Sequence, residues 1–196
     1  VAPGPAVIAG GRINTTGADG QLYDGPVTLA ANAVLEAGAG SVTFGSTLDG
    51  AFSVYVQATG DTTFGGKVGG ITPLASLTTT GGDGQGTKGK TFVNGGLVVT
   101  TGPAGQSYED KVVLGKDTIF KSKSVSSGSA NGAQVFRDTL DGGFAATFEL
   151  GRDEKPDAQV IPGGALIFFA PVGGGDPLRG MSVTSAGSVY AAGAVT

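Results

Sequence analysis

The feature that most restricts how this chain can fold is that its sequence is written twice. GRINTTGADGQLYDGPVTL at 11 to 29 returns as GLVVTTGPAGQSYEDKVVL at 96 to 114, with 9 identities in 19 positions at a constant offset of 85. TFGSTLDGAFSVYV at 43 to 56 returns as VFRDTLDGGFAATF at 135 to 148, now at an offset of 92. VGGITPL at 68 to 74 returns as VGGGDPL at 172 to 178, at an offset of 104. Residues 1–95 thus read as one long repeat and 96–196 as a second. As the offset grows, the second copy gains inserted loops near 119–131 and 150–161. AVIAGGRINTTG, KTFVNGGLVVTTG and GSVYAAGAVT add a shorter echo, so the sequence stops in the phase in which it starts. That is how a segment of a longer array reads, or a subunit whose two ends meet.

A finer period runs inside the long one. Tyr23, Phe44 and Phe64 each precede an aliphatic residue by four positions (Val27, Leu48, Val68), and Tyr108 with Val112 and Phe136 with Leu140 repeat the pairing. Self-similarity at about 20 residues is the mark of a solenoid, whose units are too small to bury their apolar faces alone and must stack. VTF, SVYV, LVVTT, KVVL and ALIFF are short, β-branched or aromatic, and bounded by Gly, Asp, Asn or Pro, as strands are. LAANAVLEAG at 29 to 38 has helical composition, but its counterpart LGKDTIFKSK is β-branched, so both are expected to be extended. The 38 glycines suit corners that need positive φ. The expectation is an all-β fold, a parallel β-helix with coils of about 20 residues and Tyr23, Phe44, Phe64, Tyr108 and Phe136 in an internal stack. The alternative is two tandem β-sandwich domains, which the offset of 85 also permits.

Composition narrows the chemistry. There is no Cys and no His, which removes disulfides, the usual zinc sites, thiol nucleophiles and Ser/His/Asp triads. Basic residues number 12 against 16 acidic, without a cluster, so nothing attracts nucleic acid or an anionic membrane, and no apolar run is long enough for membrane insertion. No cofactor or metal is expected.

TFGSTLDG, TTFGGKVGGITPLASLTT, and TTG followed by Y and VTL resemble the repeats of large bacterial surface exoproteins. These are the filamentous-haemagglutinin-like adhesins and related repeat-rich autotransporter passengers, and the likeness covers residues 10 to 82 and, more loosely, 90 to 196. It implies a right-handed, extracellular or cell-surface β-helical stalk that displays binding loops. Their secretion-recognition domain carries Asn-Pro motifs, and no Asn-Pro dipeptide occurs here. The functional expectation is a non-catalytic structural or adhesive segment, with a self-assembling fibre subunit as the alternative and a glycan-active enzyme behind both. Partners would be other copies or flanking repeats through the chain ends, or a host or cell-surface glycan or protein.

Candidate sites are few. GRDEKPD at 151 to 157 places Arg152, Asp153, Glu154, Lys155 and Asp157 in the second insertion, and inserts in a solenoid leave the rod as surface loops. They form the candidate contact loop. GGDGQGTKG at 81 to 89 lacks the helix of a phosphate cradle and the tandem copies of a calcium roll, and reads as a corner. Asp49 and Asp141, in the twin TLDG motifs, have the residue type of a hydrolase pair, but Asp before Gly is ordinary turn chemistry. The Thr runs at 15–16, 78–80 and 100–101 are too irregularly spaced for an ice-binding lattice.

Overall fold

The computed structural model describes residues 4–82, 88–123, 132–151, 164–184 and 187–192. These are all-β, with no helix. In chain order the strands are β1 (Ala6–Ile8), β2 (Gly11–Asn14), β3 (Gln21–Tyr23), β4 (Val27–Leu29), β5 (Ala33–Glu36), β6 (Val42–Phe44), β7 (Leu48–Asp49), β8 (Ser53–Ala58), β9 (Thr62–Phe64) and β10 (Leu74–Gly81). The second half adds β11 (Thr91–Val93), β12 (Leu97–Tyr108), β13 (Val112–Leu114), β14 (Thr118–Ser122), β15 (Gln134–Phe136), β16 (Leu140–Asp141), β17 (Ala145–Leu150), β18 (Ala165–Phe168), β19 (Gly180–Thr184) and β20 (Ser188–Ala191). LAANAVLEAG, of helical composition, holds β5 and its counterpart LGKDTIFKSK holds β14, so both are extended. Residues 119–122 of the first expected insertion belong to β14; the second insertion falls largely outside the described residues.

Every strand pairing among the described residues is parallel. This overturns the two-sandwich alternative, because sandwich sheets are built from antiparallel neighbours. Three sheets result. β1, β4 and β7 form the smallest, β3, β6, β9, β11, β13 and β16 the second, and the remaining eleven strands the third. The longest run of the third sheet passes through Gly11, Ala33, Val54, Leu77, Gln106, Gln134, Leu166 and Val189 in register. β12 is long enough to serve a second run as well: Leu97–Thr100 lead into β14, β17 and β19, while Gln106–Tyr108 lead into β15.

The two copies of the long repeat do not lie on equivalent sheets. Tyr23 is on the six-stranded sheet but Tyr108 on the eleven-stranded one, and Leu48–Asp49 are on the three-stranded sheet but Leu140–Asp141 on the six-stranded one. What both copies keep is the stacking. In-register parallel strands about 4.8 Å apart put like side chain on like. Tyr23 stacks on Phe44 at 5.2 Å and Phe44 on Phe64 at 5.5 Å; in the second copy Tyr108 stacks on Phe136 at 4.8 Å and Phe136 on Phe168 at 5.3 Å. A further column, Phe120 on Phe148 at 5.4 Å, meets the second one edge-on, as Phe136 against Phe120 and Phe148 against Phe168. Each such pair adds about 0.5–1.5 kcal/mol beyond area burial.

A buried glutamine two residues before the tyrosine anchors each of the first two columns. Gln21 donates through Nε2 to the carbonyls of Ile13 and Glu36 and accepts the Tyr23 hydroxyl at 3.0 Å. Gln106 donates to Val98 and Lys121 and accepts the Tyr108 hydroxyl at 3.1 Å. Gln134 repeats the geometry with Phe136 in the tyrosine's place. Its donor bonds lengthen to 3.4 and 3.5 Å and its Oε1 has no partner. Phe136→Tyr is therefore expected to supply the missing hydroxyl. A net gain of about 1 kcal/mol would raise the melting temperature by about 2–4 °C, read by circular dichroism, while an unchanged or lower value would show that the orphaned oxygen costs nothing the hydroxyl can recover. Phe136→Ala, at the crossing of two columns, is expected to cost about 3–5 kcal/mol in the same assay.

Candidate functional site

The carboxylates with hydrolase-like character are engaged in holding turns. Asp49 is buried and accepts the backbone N–H groups of Ile71 at 2.8 Å and Thr72 at 3.1 Å. Asp141, also buried, accepts the N–H of Gly175 at 3.0 Å, the counterpart of Ile71, together with the Thr139 hydroxyl at 3.0 Å and the Lys111 ammonium at 2.6 Å. Burial alone would raise the Asp141 pKa, but these donors, Lys111 foremost, hold it below the usual carboxylate range. The glycine that follows each aspartate is equally constrained. Gly50 and Gly142 have φ of +128° and +115°, and a Cβ on either would lie 2.4 Å from a carbonyl oxygen, that of Leu29 or of Leu114. Leu29 and Leu114 are themselves counterparts at offset 85, so TLDG is one turn used twice.

Asp110 is a different case. It lies buried beside β10 and β11, where the Thr79 hydroxyl donates at 3.1 Å and the Thr91 hydroxyl at 2.9 Å. Burial dominates, with a smaller push from Asp138, and raises the pKa to about 6 despite the threonine hydrogen bonds. The carboxylate also helps burial push the Tyr108 hydroxyl well above its ordinary value.

The outward side of the longest run carries the open surface. Register aligns Arg12, Val34, Tyr55, Thr78 and Ser107 in one row and Asn14, Glu36, Gln57 and Thr80 in the next. The second row continues past the paired residues with Glu109 and Arg137, which follow Tyr108 and Phe136 in their strands. A groove of about 510 Å³ lies over Asn14, Glu36 and Gln57, and one of about 490 Å³ over Tyr55, Thr78, Thr80, Glu109 and Arg137. Opposite charges balance there: Arg12 pairs with Glu36 at 3.2 Å and Arg137 with Glu109 at 2.7 Å, and Lys88 and Asp138, one of each sign, also line the second groove. Ser107 also donates to Glu109 at 2.7 Å, and the Arg137 guanidinium stands 5.1 Å from the Phe169 ring centroid.

The five aromatics singled out from sequence sit in the two columns, Tyr23 half-buried and the others buried. The contact-loop residues Arg152, Asp153, Glu154, Lys155 and Asp157 lie outside the described residues. So do residues 83–87 of the glycine-rich stretch. The Thr runs are divided by strand alternation, with Thr79 and Thr100 buried and Thr78 and Thr80 facing the groove. Sequence reading missed Phe168, although it is Phe64 displaced by 104, the offset that links the VGG motifs. It also missed Asp110, whose partners stand 31 and 19 residues away, and the two outer rows, which only register assembles. Among the described residues no cluster of three or more acidic or other metal-binding side chains is placed to hold a metal. Compared with protein-family models, curated proteins and solved structures, the chain matches none.

The raised pKa of Asp110 gives a signed pH dependence. In the unfolded chain it ionises near 3.8 and in the folded one near 6, so folding is favoured by the proton and stability falls as pH rises between these values. Asp110→Asn, which keeps the shape without the charge, is expected to melt higher than the parent at pH 8, by at most about 3 kcal/mol. The gap should close at pH 4, and equal differences at both pH values would remove ionisation as the cause.

Proposed function

We propose that the chain is a stretch of right-handed parallel β-helix serving as a non-catalytic structural or adhesive segment of an extracellular bacterial surface protein. The observation that carries the reading is the all-parallel pairing on three sheets. Successive partners in the longest run stand from 21 residues apart (Ala33 to Val54) to 32 (Gln134 to Leu166), as in a chain that winds once between them. Parallel strands joined this way are right-handed in about 98% of cases. The interior is given to aromatic columns, and Asp49 and Asp141 are occupied by backbone N–H groups, so their carboxylates have structural work in place of catalysis. The exoprotein-like TFGSTLDG and TTFGGKVGG segments support the surface location. Antibodies against the chain are expected to label intact cells of the source organism; labelling only after lysis would overturn it.

A second reading, an extracellular fibre subunit, is favoured by β19 and β20. Val189 and Met181 stand in register with the buried Leu166 and Ala146, yet Val189 is 53% exposed and Met181 40%, because no described strand covers them. An open parallel edge with exposed apolar residues is a template for a further strand. If copies supply it, light scattering should show particles that lengthen with concentration, and a monodisperse monomer at high concentration would leave the stalk reading alone.

A further inference from the structure

The outer rows of the eleven-stranded sheet have no role in the fold that would explain their composition. Their inward neighbours fill the core, whereas these side chains could be any solvated set. Instead they line two neighbouring grooves, taken together as one trough. Gln57 lines the first groove, while its register partner Thr80 and its strand neighbour Tyr55 line the second, so the two grooves meet at β8 and β10. From β2 to β15 the trough crosses five strand steps, about 24 Å at the usual spacing.

We propose that this trough binds an unbranched neutral glycan lying along the stacking direction of the strands, an inference that rests on the adhesive half of the reading above. Three properties point to that class. Amides and hydroxyls recur along the floor, with Asn14 on β2, Gln57 on β8 and Thr78 and Thr80 on β10 offering donors and acceptors to a ligand that presents hydroxyls at regular intervals. Opposite charges on the trough balance, Glu36 paired with Arg12 and Glu109 with Arg137, while Lys88 and Asp138 of the second groove are one of each sign, so it presents no strong net field to select a polyanion or polycation. Tyr55, 37% exposed and lining the second groove, supplies the aromatic side chain against which the apolar side of a sugar packs. A protein partner would call for a broader apolar centre than a single tyrosine supplies.

The test uses the whole chain in calorimetric titrations with linear neutral oligosaccharides, from dimers to octamers of α- and β-linked glucose, mannose and xylose. In at least one series affinity should rise with length and level off near the pentamer, where the trough is filled. Tyr55→Ala should weaken that binding about tenfold and Gln57→Ala should weaken it too. Ile71→Ser, at an 84% exposed site that lines neither groove, should leave it unchanged. Circular dichroism confirms that each variant is folded. Absence of binding in every series, affinity independent of length, Tyr55→Ala binding like the parent, or preference for a sulfated polysaccharide would each overturn the inference. Adhesion of the displayed chain to cells stripped of neutral glycan would also overturn it while leaving the adhesive reading intact, and the cell-labelling result stands apart from all of these.

Discussion

Everything in this molecule follows from parallel strands pairing in register with neighbours 20 to 35 residues away in the chain. A parallel ladder satisfies backbone donors and acceptors only when the next strand arrives at a spacing of about 4.8 Å. The same spacing suits stacked aromatic rings, whose centroids here lie 4.8 to 5.5 Å apart in each column. Backbone pairing and core packing therefore impose one period, and a residue is acceptable inside only if it suits the residue directly above and below it. Gln134 shows the cost of a mismatch: the glutamine is retained at its corner, the tyrosine is not, and one buried oxygen is orphaned.

This explains what could be read from the sequence and what could not. The columns were legible because like-on-like stacking writes itself as a repeat: Tyr23, Phe44 and Phe64 are spaced by the distance between strand partners. The sheet on which a copy lies was not legible. QLY at 21–23 and QSY at 106–108 solve the same local problem, a corner glutamine clamped by a tyrosine and flanked by strands, and that problem is the same at a corner of any sheet. The motif therefore fixes the corner and leaves the sheet to the summed lengths of what precedes it. The contact loop at 151–157 rests on its charge pattern alone, since its candidate residues fall outside the described ones.

Asp110 and the outer rows were hidden for a related reason. A carboxylate in the bend after β12 whose partners are Thr79 on β10 and Thr91 on β11 is defined by segments far apart in the chain, and a trough lined by Tyr55, Gln57 and Thr80 exists only after register is fixed. Composition makes both look like ordinary solvated positions. Burial separates them: it drives Asp110 away from its ordinary ionisation while the trough residues stay on the outer side of the sheet.

The division between an inward side that must match and an outward side that need not also accounts for the growing offset between the repeats. Tyr23, Phe44 and Phe64 follow one another at 21 and 20 residues, whereas Tyr108, Phe136 and Phe168 do so at 28 and 32, and both columns keep the same ring spacing. Partners in the second copy thus stand further apart along the chain, yet their strands still pair in register. Lengthening a connection costs little, about 0.6 kcal/mol for each doubling, while shifting a strand by one residue would turn every core side chain outward. A chain under these rules varies at its connections and its outer rows and holds its columns fixed, so the binding proposed for it belongs to the surface that the repeat does not record.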